Sequence, residues 1–284
     1  MICKRMSMIA LGSLLTVVVT LSMFHQVNPV SAQEDDFLVY LPLIFAESDT
    51  PGPGAGIVID HEDTDTSELT QAQLNAARDV VALFNHRSIG NNILDGMREL
   101  EAQDPTRYTI NIVYSSGTSP GINHYMAGSN GDPMSKINGF AAIVRDGHDA
   151  AFMKFCVGDM PPFTSSDPAA VWEAYRDMMI AEQAEHPGTV LVWWTIPLTT
   201  QSDARGLVNF AEFNDSLRAY VAENGGILFD LADIESHDPN GNPITQGGFE
   251  AMYNGYSDDG AHLNATGRQR VARAMWHLLV ELAE

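Results

Sequence analysis

Apolar residues along this chain follow two rhythms that alternate. Short unbroken apolar runs predict buried strands at residues 80–84, 108–114, 150–157, 190–196 and 227–229. Between them, apolar positions recur at helical spacing. Residues 91–101 put Ile93, Leu94, Met97 and Leu100 on one face, and residues 264–283 do the same with Val271, Ala274, Met275, Leu278 and Leu279. Further helices are predicted over 70–78, 132–144, 168–185 and 207–223. Their ends carry suitable punctuation: Asp132-Pro133 supplies a cap and a first-turn proline, while His186-Pro187-Gly188 and Asn224-Gly225-Gly226 stop the helices before them. Two connections are long, a polar, glycine-rich one after the second strand and another between the fifth strand and the last helix. Long connections in a compact domain usually carry function.

Continuous apolar strands alternating with helices imply a parallel sheet covered on both faces. The expected fold is α/β, a three-layer α/β/α (flavodoxin-like) arrangement with a five-stranded parallel sheet in the order 2-1-3-4-5. In that order a ligand crevice forms at the carboxyl ends of strands 1 and 3. Chemistry is therefore expected just after Phe84 and just after Val157.

The ends of the chain modify this picture. Lys4 and Arg5 precede an uncharged stretch from Met6 to Phe24, and Val30-Ser31-Ala32 offers small residues at signal-peptidase spacing. Residues 1–32 are expected to be a secretory signal peptide cut after Ala32; an uncleaved membrane anchor is the competing reading. Residues 33–56, with Pro51-Gly52-Pro53-Gly54, read as a tether that also holds an apolar stretch at 37–45. The remaining residues, 57–284, form the expected domain.

Charge narrows the possible partners. The chain has 15 Lys plus Arg against 37 Asp plus Glu, a formal net charge of -22. A polyanion of this strength does not hold a phosphate backbone by charge, so no nucleic-acid partner is expected, and a membrane contact only through an uncleaved signal segment. Beyond the signal, Cys156 is the single cysteine, so no internal disulfide is expected. Its surroundings suggest a small core residue rather than a nucleophile. The acidic run at 60–68 lacks the glycine spacing of a calcium loop and reads as a solvated face. The histidines show no metal-ligand spacing. No metal and no cofactor are expected.

Two stretches carry candidate chemistry. Asn85-His86-Arg87-Ser88-Ile89-Gly90 follows the first strand and leads into a helix. Ser88 there either caps the helix or exposes a nucleophilic hydroxyl beside a helix-start amide able to receive an oxyanion. Asp259-Gly260-Ala261-His262-Leu263-Asn264 closes the long connection before the last helix. A carboxylate three residues before a histidine can hold one imidazole nitrogen and leave the other facing outward.

Ser88 after the first strand together with this Asp259–His262 stretch resembles the SGNH (GDSL-like) hydrolase superfamily. His86-Arg87-Ser88-Ile89-Gly90 is similar to a divergent branch with H-x-S-[VI]-G in place of GDS, as are residues 127–133, Lys136-Ile137 and Met153-Lys154-Phe155-Cys156. The resemblance implies a triad of Ser88, His262 and Asp259, with an oxyanion hole drawn from the Ser88 amide, Gly128 and Asn130. One departure stands out. The superfamily usually carries G-x-N-D after the third strand, whereas this chain reads Cys156-Val157-Gly158-Asp159 and has no side-chain donor at Gly158. Either Asn130 substitutes, backbone amides suffice, or activity is reduced or lost. His86 and Asp159 are expected to shape the site, with Asp159 a candidate partner for the buried Lys154.

Two functions follow from this reading. One is a secreted serine esterase acting on a small-molecule or polysaccharide ester outside the cell. The other is a non-catalytic extracellular binding module on the same fold. The sequence carries no sign of oligomeric state.

Overall fold

Strand β2 (Val81–Asn85) is buried on both sides, as its Val-Ala-Leu-Phe run demands, and the sheet is built outward from it. A computed structural model describes residues 56–284. The signal peptide at 1–32, the apolar stretch at 37–45 and all of the tether before Gly56 lie outside the described residues. β5 (Ala150–Met153), β6 (Val190–Trp194), β7 (Ile227–Phe229) and β1 (Ile57–Ile59) follow on one side of β2; β4 (Gly121–Tyr125) and β3 (Ile112–Tyr114) follow on the other. All pairings in this sheet are parallel.

The parallel three-layer architecture is as expected, but the strand count is corrected from five to seven. The five predicted strands keep their relative order; β4 is inserted between the first and second, and β1 is added beyond the fifth. β4 escapes the apolar pattern because Gly121-Ile122-Asn123-His124-Tyr125 buries Asn123 and His124. Asn123 is satisfied locally, donating from Nδ2 to Ser119 O at 2.6 Å and accepting Ser119 N–H at 3.2 Å. β1 has three residues, two of them exposed. The strand expected over 108–114 is shorter, because Asp104 caps a turn of helix, Pro105–Tyr108, before it.

The helices fall into two layers. α1 (Gln71–Ala77), α2 (Ile89–Gln103) and α8 (Ala265–Glu281) pack together, and α4 (Pro133–Ala141), α5 (Pro168–Glu185) and α6 (Leu207–Asn224) form the second group; α3 is the Pro105–Tyr108 turn beside α2. Phe84, Phe152, Trp194 and Phe229 form an aromatic row across four neighbouring strands, with centroids 5.2, 5.4 and 4.1 Å apart. Trp193 packs instead with Trp172 and Tyr175 of α5 and Tyr220 of α6. Trp172 and Tyr175 are core residues.

α2 and α8 meet closely. A side chain at Gly96 would overlap the Arg268 carbonyl, so the glycine lets the two backbones touch. Arg268 Nε also donates to Glu99 Oε1 at 2.7 Å. The long connection from β7 to α8 is not structureless: it holds a short helix, α7 (Leu231–Ser236), and the hairpin β8 (Thr245–Gln246) and β9 (Phe249–Glu250). Among the described residues no helix is long and apolar enough to cross a membrane.

Candidate active site

β2 and β5 are neighbours, so the residues after them share one end of the sheet, where the strand order places a crevice. The turn from β2 into α2 is abrupt. Ser88 adopts φ 51°, ψ −107°, a conformation that L-residues rarely adopt, and its hydroxyl makes no capping bond to α2. Of the two roles open to Ser88, capping is therefore not used. Its Oγ lies 2.5 Å from His262 Nε2. The spacing of His86 and Gly90 has a steric origin: a Cβ at Gly90 would overlap the His86 ring, so glycine lets the imidazole lie beneath the turn.

His262 sits in a loop that Asp259 organises. Asp259 Oδ1 accepts the N–H of Ala261 at 3.0 Å and of His262 at 2.7 Å, while Oδ2 lies 2.7 Å from His262 Nδ1. Burial alone would raise the Asp259 pKa, but those amides and the imidazole outweigh it and hold the carboxyl well below its usual range. An ionised carboxylate only accepts, so His262 carries its proton on Nδ1 and offers Nε2 to the Ser88 hydroxyl. Asn264 then caps α8 through Thr266 and Gly267 N–H. Ser88, Asp259 and His262 thus meet, although 174 positions separate the hydroxyl from the imidazole.

The other expected residues surround this group. Arg87 donates to Gly128 O at 2.5 Å and Met126 O at 2.8 Å, tying the loop after β4 to the residue before Ser88. Asn85 reinforces that loop by accepting Ala127 N–H at 2.8 Å. Asn130 Oδ1 accepts from Lys136 Nζ at 2.8 Å. No direct hydrogen bond joins Gly128 or Asn130 to Ser88 among the described residues. Asp159 is fully buried, and its expected partner is corrected: it pairs with Lys136 at 2.5 Å, not with Lys154. Lys154 donates instead to Phe155 O at 2.8 Å and lies 3.4 Å from Cys156 Sγ, the Asp159 carboxylate being taken by Lys136. Cys156 is buried, and its thiol donates to Arg87 O at 3.2 Å. Sequence reasoning missed the Lys136–Asp159 pair. Its signal was a lysine on the face of α4 that buries Pro133, Ile137 and Phe140.

His86 is buried and does not reach solvent, so it shapes the turn rather than touching a ligand. Its Nε2 lies 3.1 Å from His124 Nδ1, and its own Nδ1 has no partner. Burial first, and the Lys154 charge second, push its pKa from 6.5 down to about 2. The unfolded chain takes up that proton near pH 6.5 and the folded chain does not. Stability is thus full above 6.5 and falls as pH drops, by up to about 1.4 kcal/mol per pH unit. Burial shifts His124 and His148 the same way. Glu235, buried and pushed up to about 8, acts oppositely: its contribution is full below pH 4.5 and lost as pH rises to 8. The melting temperature is expected to peak near neutrality, with a steep acid limb that His86→Gln makes shallower. An unchanged acid slope in that variant would assign the proton to another group.

The surroundings of Ser88, His262 and Asp259 are open and polar. The side chains of His262 and Asp259 are 52% and 57% exposed. A cleft of about 390 Å³ beside Asp259 is lined by Thr200, Ser202, Asp203, Asn254 and Asp258. A recess of about 210 Å³ borders His262, Leu263 and Arg268. A larger apolar cavity, about 410 Å³, lies at the amino end of β6 against Trp193 and Tyr220, at the opposite end of the strands from Ser88.

His61, Asp233 and His237 bring possible metal-ligand atoms within 4.8 Å of one another, a grouping that sequence spacing hides. The two imidazoles are stacked 3.6 Å apart and 8° from parallel, so their lone pairs do not converge on one ion. His61 Nδ1 instead lies 2.5 Å from Asp233 Oδ1.

No family model and no curated protein matches this chain. Solved structures similar to it include esterases and a GDSL-like lipase. A lipase/acylhydrolase from Enterococcus faecalis is 15% identical, with a TM-score of 0.46 over 70% of this chain and 95% of its own. The acetyl xylan esterase AlAXEase is 16% identical, with a TM-score of 0.46 over 69% of this chain and 98% of its own. A carbohydrate esterase family 3 protein from Talaromyces cellulolyticus is 15% identical, with a TM-score of 0.43 over 72% and 97%.

Proposed function

We propose that this protein is a secreted serine esterase of SGNH type that removes short acyl groups from a hydrophilic alcohol, such as an extracellular carbohydrate. The observation that carries the reading is the continuous line from Ser88 Oγ to His262 Nε2 at 2.5 Å and from His262 Nδ1 to Asp259 Oδ2 at 2.7 Å. In this reading Ser88 attacks the ester carbonyl while its proton passes to His262 Nε2. The tetrahedral oxyanion collapses, the bond to the alkoxy oxygen breaks, and His262 returns the proton to that oxygen. Water, deprotonated by His262, then releases the acid and restores Ser88. Asp259 orients His262 and stabilises the imidazolium. The Ser88 and Gly128 amides and Asn130 Nδ2 are the proposed oxyanion donors, each worth about 3 kcal/mol of transition-state stabilisation.

The preference for a short acyl group rests on the exposure of the triad and the polar cleft beside it. A long hydrocarbon there would stay in water. Export rests on the pattern of residues 1–32. A fluorophosphonate probe is expected to label the wild-type chain at Ser88, and kcat/KM for nitrophenyl acetate is expected to exceed that for the octanoate at least tenfold. A chain that resists the probe and turns over neither ester is a binding module instead. Equal rates on both esters would refute the short-acyl preference.

A further inference from the structure

Lys136 occupies an inward position of α4, between Pro133 and the Ile137–Phe140 side, and is 2% exposed. A buried ammonium must find acceptors or lose its proton. Lys136 finds two, Asn130 Oδ1 at 2.8 Å and Asp159 Oδ2 at 2.5 Å. Asp159 also accepts Cys156 N–H at 2.7 Å and Gly131 N–H at 2.9 Å. One ion pair therefore ties together α4, the loop carrying Asn130 and the turn after β5. Cys156 links that turn to the nucleophile's turn through Arg87 O.

An ammonium group only donates. The Asn130 oxygen must face it, so Nδ2, on the same carbon, faces away. Nδ2 has no protein acceptor among the described residues, and Asn130 is exposed. Without such a lock an asparagine side chain can present either its oxygen or its N–H groups, and an oxygen turned toward a developing oxyanion would repel it.

We infer that Lys136 is a positioning residue, selecting the orientation of Asn130 that offers an N–H to the oxyanion. This replaces the donor missing at Gly158. The inference rests on the esterase reading above. Lys136 touches no substrate; it acts through Asn130 alone. Asp159 holds the lysine in place.

The test compares two neutral double variants that leave no unpaired buried charge. Lys136→Gln with Asp159→Asn retains a donor toward Asn130 Oδ1, and Lys136→Met with Asp159→Asn does not. With nitrophenyl acetate, the Gln pair is expected to stay within tenfold of wild type. The Met pair is expected to lose about 100-fold in kcat with KM within threefold. Asn130→Ala should match the Met pair, and combining the two should cause no further loss, because both remove one interaction. Affinity for methylboronic acid, which forms a tetrahedral anionic adduct, should fall in parallel while acetate affinity stays constant. Should the Met pair fail to fold, Asn130→Asp gives the readout, since its carboxylate keeps Lys136 partnered but lacks the N–H; wild-type kcat in that variant overturns the proposal. So do a folded Met pair within threefold of wild type and losses that multiply on combination. An inert wild-type chain overturns the esterase reading and this inference with it, whereas an active chain with an unaffected Met pair overturns this inference alone.

Discussion

Ser88→Ala is expected to lower kcat/KM for nitrophenyl acetate by on the order of 10⁴- to 10⁶-fold, the usual cost of removing a nucleophile that acts as one unit with its base. The fold should be untouched, because alanine keeps the Cβ and Ser88 makes no capping bond to α2. Ser88→Gly separates catalysis from strain. It should be equally inactive yet more stable by about 1 kcal/mol, since φ 51° with ψ −107° burdens any residue bearing a Cβ. Ester hydrolysis and urea denaturation of the three chains read both effects. Turnover within tenfold of wild type in Ser88→Ala would move the nucleophile elsewhere. A glycine variant no more stable than the alanine one would remove the strain argument.

Asp159→Ala is expected to have the largest effect on stability, about 3–5 kcal/mol. It strands the buried Lys136 ammonium and leaves the Cys156 and Gly131 N–H groups without their acceptor. That loss is a large share of the 5–15 kcal/mol typical of a folded domain, so the urea midpoint should fall sharply. Adding Lys136→Met should restore much of the stability, because the stranded charge is the main penalty. A loss below about 1 kcal/mol in Asp159→Ala would contradict the pairing.

The fold was legible where single elements bury themselves. The runs at 80–84 and 190–196 had to be strands, and the 168–185 helix announced both its ends. β4 was hidden because Asn123 and His124 are buried polar residues, one satisfied by the Ser119 backbone just before the strand and the other by His86 of a distant segment, and apolar patterning cannot see such compensation. At the site, Ser88 and the Asp259–His262 pair were readable from their places relative to a strand and a helix. Lys136 was not read as part of that network. Its partners, Asn130 and Asp159, lie on two different loops, and only packing reveals that one ammonium serves both. Lys154 misled for a related reason: its acceptors are a neighbouring carbonyl and a thiol, which composition does not mark.

The contact between α2 and α8 through Gly96 and Arg268 has a consequence for the distance between two side chains far apart in sequence. Ser88 immediately precedes α2 and His262 lies just before α8, so the closeness of those two helices sets how near the hydroxyl comes to the imidazole. A bulkier residue at Gly96 would spread the helices and draw the two groups apart.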